Sequence, residues 1–123
     1  MPEKIEKFIE RKKSECPKII KPKDIGRKTR LIFTIEQRTF YQQSNLPEKV
    51  FFIEKLRKGR VNKKKLAYPH AWKDGEIEYR LGYYIIGRIG SRRGKWTFGQ
   101  YCPILPKKDL IKLIKKAKQE KTL

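Results

Sequence analysis

Asp74, Glu76 and Glu78 stand at alternate positions of the chain, and Arg80 continues the series. On an extended strand that spacing puts Glu76, Glu78 and Arg80 on one face. Two carboxylates there could hold Mg²⁺ while the guanidinium steadies a scissile phosphate. Metal-dependent nucleases of this kind usually carry a lysine two residues after the acid, and here Arg80 occupies that place. A solvent-facing strand edge with alternating charges accounts for the same residues. His70 is the one histidine of the chain. It could serve as a metal-free general acid or base on RNA, although a histidine between Pro69 and Trp72 is more often a packing or loop residue. Cys16 and Cys102 are isolated from each other and from any CxxC pair, so neither a structural zinc site nor a disulfide scaffold is supported.

The stronger chemical signal is basic. Residues 55–73 carry Lys55, Arg57, Lys58, Arg60, Lys63, Lys64, Lys65 and Lys73 with no acid among them. Residues 79–108 are likewise free of acids, and there Arg88, Arg92, Arg93 and Lys95 lie among glycines and aromatics, with Trp96 next in line. Basic side chains on a projecting turn suit phosphate contacts, and neighbouring aromatics suit base stacking. Aromatics on sheets are more often core, however, and a charged loop is more often a solvated turn.

The composition fits that emphasis. The chain has 123 residues, with 33 Lys plus Arg against 13 Asp plus Glu, leaving a formal charge of +20. Such an excess opposes folding unless a polyanion neutralises it, so nucleic acid is the first expected partner and an anionic membrane surface the second. The longest apolar runs, Val50–Ile53 and Tyr83–Ile86, are too short for a transmembrane span or the core of a signal peptide. A cytoplasmic protein is therefore expected. Abundant Lys, Ile and Glu with scarce Met and Cys fit a thermophilic composition. The length predicts a single domain over residues 1–123.

The elements that must position these residues follow from periodicity. Ile5, Phe8 and Ile9 predict an amphipathic helix over residues 3–13 that stops before Pro17. Residues 14–30 look like a basic connector, and residues 31–36 a short strand. Thr34 with Gln37 resembles a capping box, predicting a helix over residues 34–43. Leu46, Val50 and Ile53 at i, i+4 and i+7 predict a second helix from Pro47 to Lys58. Alternation from Ile77 to Ile89, a turn over residues 90–94 and a return over residues 95–104 predict a β-hairpin of about thirty residues. Leu110, Leu113, Ile114 and Ala117 predict a C-terminal helix with a lysine-covered outer face.

The predicted fold is thus α+β: an antiparallel hairpin or small sheet packed with about four helices, in an order like that of a winged helix-turn-helix module. The expected function is nucleic-acid binding, DNA slightly ahead of structured RNA, through the basic loops, the hairpin tip and the C-terminal lysines. Two alternatives stand beside it. One is a small nuclease using Asp74, Glu76 and Glu78 with Mg²⁺, or His70 without it. The other is a ribonucleoprotein assembly factor. No cofactor is expected outside the nuclease alternative. The oligomeric state is left open.

Overall fold

The computed structural model describes residues 2–24 and 29–123. Five strands form one antiparallel half-barrel sheet in the order β1 to β5: β1 (Lys18–Ile20), β2 (Phe33–Gln42), β3 (Lys49–Lys58), β4 (Ile77–Ile86) and β5 (Trp96–Phe98). Among the described residues two α-helices accompany it, α1 (Ile5–Ser14) and α2 (Lys107–Gln119). Both helices were expected from their apolar spacing.

The four-helix, winged-helix arrangement is not what forms. The segments read as helices over residues 34–43 and 47–58 are the long central strands β2 and β3, paired from Phe33↔Lys58 to Gln42↔Val50 with one irregularity between Ile35 and Gln37. The reason lies in Val50–Ile53, a continuous apolar run. A strand covered on both faces needs no alternation, and its apolar residues then satisfy a helical template by coincidence. The β-branched and aromatic content of both segments favours the sheet, and Pro47 precedes the strand rather than opening a helix. The connector expected over residues 14–30 contains β1, while residues 25–28 lie outside the described residues. The hairpin does form, but β5 pairs only with Tyr84–Ile86. The longer partner of β4 is β3, from Lys49↔Ile85 to Arg57↔Ile77.

Strand parity assigns the layers. Phe51 and Ile53 of β3 and Tyr83 of β4 face α2 and bury Leu113 and Ala117. Val50 and Phe52 face the opposite way and pack with Phe40 and Tyr84 against Phe8 of α1. Further along that second face, Phe33, Ile35 and Leu56 are covered by Leu66 and Trp72 from the segment joining β3 to β4. Each such side chain contributes about 1.5–3 kcal/mol by leaving water. α1 and the Leu66–Trp72 cover therefore sit at two ends of one sheet face, with the middle of that face between them.

Asp109, fully buried, accepts a hydrogen bond from the Ser44 backbone N–H at 2.9 Å, so the first turn of α2 holds the β2–β3 turn. At the other end of α2, Thr122 and Thr39 share a hydroxyl hydrogen bond of 2.8 Å. Cys16 and Cys102 are free thiols. No helix among the described residues is long and apolar enough to cross a membrane.

Candidate phosphate-binding surfaces

The middle of the second sheet face carries ions where its ends carry hydrocarbons. Arg38 of β2, Glu54 of β3 and Arg80 of β4 are direct partners in register, a charged row across three strands. Glu54 is completely buried. Its Oε2 accepts from Arg38 Nε at 2.8 Å and its Oε1 from Arg80 Nε at 2.6 Å. A carboxylate removed from water at such cost must be matched by cations and hydrogen bonds, and these two arginines supply both.

The arginines are used differently. Arg38 is buried, and its Nη1 also donates to the Lys12 carbonyl at 2.7 Å and to Glu15 at 2.8 Å. The Arg80 side chain is 35% exposed, with Nε alone in a hydrogen bond among the described residues. Its guanidinium lies 5.4 Å from the centre of the Phe98 ring. The outer edge of β4 is open beside it, because β5 begins its pairing only at Tyr84. Two positions along, Gly82 leaves room for the Phe52 ring, whose Cζ would stand 2.5 Å from an added Cβ.

Lys12 and Tyr84 border the same region. Lys12 Nζ is 5.2 Å from the Tyr84 ring centre and 3.6 Å from Glu15. Burial depresses the Lys12 pKa, with Glu15 opposing and Arg38 and Lys18 adding to the effect. Burial likewise raises that of the Tyr84 hydroxyl, which also feels Glu54, Arg38, Arg80 and Glu15. Among the described residues that hydroxyl has no hydrogen-bond partner. Glu15 and Glu54 thus face Arg38, Arg80 and Lys12, and positive charge is left over.

The residues singled out in the sequence are placed as follows. Lys58 does not face outward: it is buried, 5.3 Å from the Trp72 ring centre, and donates to Glu76 at 2.6 Å and to the Ala71 carbonyl at 3.0 Å. Glu78 lies 3.5 Å from the same ammonium, so the cation between Glu76 and Glu78 is a lysine side chain. Asp74 accepts from the Trp72 indole N–H at 3.1 Å. His70 is exposed on a 3₁₀ turn, Pro69–Ala71, edge-on to Tyr68 at 6.4 Å. Arg57 is held by Glu36 at 2.7 Å, Lys55 is half-buried on β3, and Arg88 approaches Glu48 at 3.5 Å. Trp96 packs face to face with Phe8 at 5.1 Å and donates to the Glu3 carbonyl, a contact inside the fold.

Arg60, Lys63, Lys64 and Lys65 stay exposed after β3, and Arg92, Arg93 and Lys95 stay exposed on the β4–β5 turn. Gly90 and Gly94 give that turn its shape through φ of +65° and +74°. Lys107, Lys108, Lys112, Lys115, Lys118 and Lys121 line the exposed side of α2 and its end.

Of the charged row, only Arg80 stands out in the sequence. Arg38, Glu54 and Lys12 do not. The available signal was Glu54 itself, one acid at the end of an apolar run, which on a doubly covered strand has to be buried and paired. Compared with protein-family models, with curated proteins and with solved structures, the chain finds no match.

Proposed function

We propose that the protein binds nucleic acid, held chiefly through its phosphates. The supporting observation is how the two signs of charge are spent. Glu3, Glu15, Glu36, Glu48, Glu54, Glu76, Glu78 and Glu120 are within ion-pair distance of basic side chains. Asp24, Asp74 and Asp109 accept hydrogen bonds from the fold's own N–H groups. Among the described residues this leaves Glu6 and Glu10 as the acids without a polar partner. The exposed lysines of α2, the basic side chains of the Arg60–Lys65 segment and those of the Arg92–Lys95 turn remain uncompensated, and most of the +20 excess resides on such side chains.

A surface of this kind suits a polyanion whose condensed counterions are released on binding. Neither helix is needed as a reading element, because both spend their apolar faces on the sheet. Fluorescence anisotropy of labelled duplex DNA and of structured RNA, each titrated across a salt series, tests the proposal. The expected result is a steep linear fall of log K with log salt. Weak binding to both, with a flat salt response, would overturn it.

A further inference from the structure

We infer that the free terminal fork of Arg80, on the part of the sheet that Lys12 and Tyr84 border, seats one phosphate group of the bound nucleic acid. The seat rests on the nucleic-acid reading and adds to it a particular contact point on the sheet.

Glu54 sets the arrangement. A buried carboxylate in the middle of a sheet needs compensation, but Arg38 already provides it at 2.8 Å. Arg38 also donates Nη1 to Glu15 and to the Lys12 carbonyl. Arg80 is therefore a second cation on a charge that has its partner, and Lys12 a further one on Glu15, at 3.6 Å. The geometry at Arg80 gives this excess a direction. Glu54 engages Nε at 2.6 Å, on the side of the guanidinium. Both terminal nitrogens are left without a hydrogen bond among the described residues, on a side chain 35% exposed.

Phe98 supports the same group at 5.4 Å. A guanidinium held through Nε and braced by a ring loses little freedom when its terminal fork meets two phosphate oxygens. Lys12 is a partly desolvated cation, and an anion beside it would oppose the effect of burial on its charge. The Tyr84 hydroxyl is a donor without an acceptor among the described residues, and the Tyr84 ring packs edge-on against Phe98 at 5.5 Å. Arg80 differs from the surface lysines in being held, through Glu54 and beside Phe98, before any ligand arrives.

The test measures affinity for a single-stranded oligonucleotide and for a duplex of the same sequence. The proteins compared are the wild type, Arg80→Ala, Arg80→Lys and Lys7→Ala, the last an exposed lysine of α1, each checked for native circular dichroism. Arg80→Ala should weaken binding about tenfold, Arg80→Lys should recover only part of that affinity because it lacks the fork, and Lys7→Ala should stay within about twofold. Where the oligonucleotides bind, a weakening by Arg80→Ala no greater than that by Lys7→Ala would overturn the seat while leaving nucleic-acid binding in place. A second arm records thermal unfolding with inorganic phosphate and with a nucleoside monophosphate. A rise in Tm in the wild type that disappears in Arg80→Ala supports the seat. If that rise occurs while no oligonucleotide binds, the nucleic-acid reading falls and the seat belongs to a free phosphate compound. If neither phosphate probe raises Tm and Arg80→Ala leaves oligonucleotide affinity unchanged, the seat is refuted.

Discussion

Glu54 and Arg80 meet across neighbouring strands at 2.6 Å, the carboxylate wholly buried and the Arg80 side chain 35% exposed. On the other side the same carboxylate holds Arg38 at 2.8 Å, deep under the end of α1. One acid thus fixes two arginines in unequal surroundings, and their removal should have unequal consequences.

Arg38→Ala should destabilise the fold by about 3–5 kcal/mol, because a buried carboxylate is deprived of its enclosed partner and Glu15 of a hydrogen bond. Arg80→Ala should cost clearly less, since Glu54 keeps Arg38 and the Arg80 side chain is already partly exposed to water. Urea unfolding of the two variants measures the difference. Equal destabilisation would remove the division of labour between a structural and a presenting arginine.

How much of this was readable in advance depended on how each residue is covered. α1 and α2 each lie with one side on the sheet, so Phe8 and Leu113 recur at helical spacing and both helices were legible. β2 and β3 are covered on both faces, which erased the alternation that marks a strand and let Val50 and Ile53 imitate a helix. β4 kept its alternation and was found. The site was hidden for a related reason. Arg38, Glu54 and Arg80 are far apart in sequence, and only strand register, set by long-range pairing, brings them into one row. Lys58 misleads for the opposite reason: in a basic stretch it looks solvated, but it is buried against Trp72 and donates to the Ala71 carbonyl, with Glu76 and Glu78 as its acidic partners.

Gly82→Ala should destabilise the protein by about 1–3 kcal/mol through overpacking. Its new Cβ would stand 2.5 Å from Cζ of Phe52, a ring wedged among Phe40, Tyr84 and Phe98 with little room to retreat. Gly75→Ala has open space around its Cβ, but its φ of +83° disfavours a side chain. Comparing the two by urea unfolding separates steric from backbone cost. Crowding at Gly82 should also shift the aromatic near-ultraviolet circular dichroism, whereas Gly75→Ala should leave it unchanged.

Acid should loosen the junction of α1 with the sheet. Burial raises the pKa of Glu15, but its hydrogen bond from Arg38 and the nearby charges of Lys12 and Lys18 outweigh this and hold it below the ordinary value of 4.5. A carboxyl depressed in the folded state contributes stability that is complete above its unfolded pKa and is lost as pH falls through the folded value. Unfolding temperatures recorded from pH 6 down to pH 3 should therefore fall more steeply for the wild type than for Glu15→Gln. Parallel curves would show that Glu15 carries no such linkage.

The exposed lysines after β3 provide the last test, because they separate diffuse attraction from a seated phosphate. Lys63, Lys64 and Lys65 form one 3₁₀ turn, capped where the Asn62 side chain accepts from the Lys64 N–H at 3.2 Å, and they touch no acid among the described residues. Replacing all three by alanine should leave the fold intact, since none is buried. If each neutralises a phosphate, the slope of log K against log salt should fall by about 0.7–0.9 for each lysine replaced. Arg80→Ala frees one phosphate at most, so its slope should fall by no more than that amount even where its affinity drops further. The reason is that hydrogen bonds made by a fixed guanidinium contribute beyond counterion release. A triple variant with an unchanged slope would place the nucleic acid elsewhere on the surface, leaving the lysines of α2 and the Arg92–Lys95 turn to account for the salt dependence.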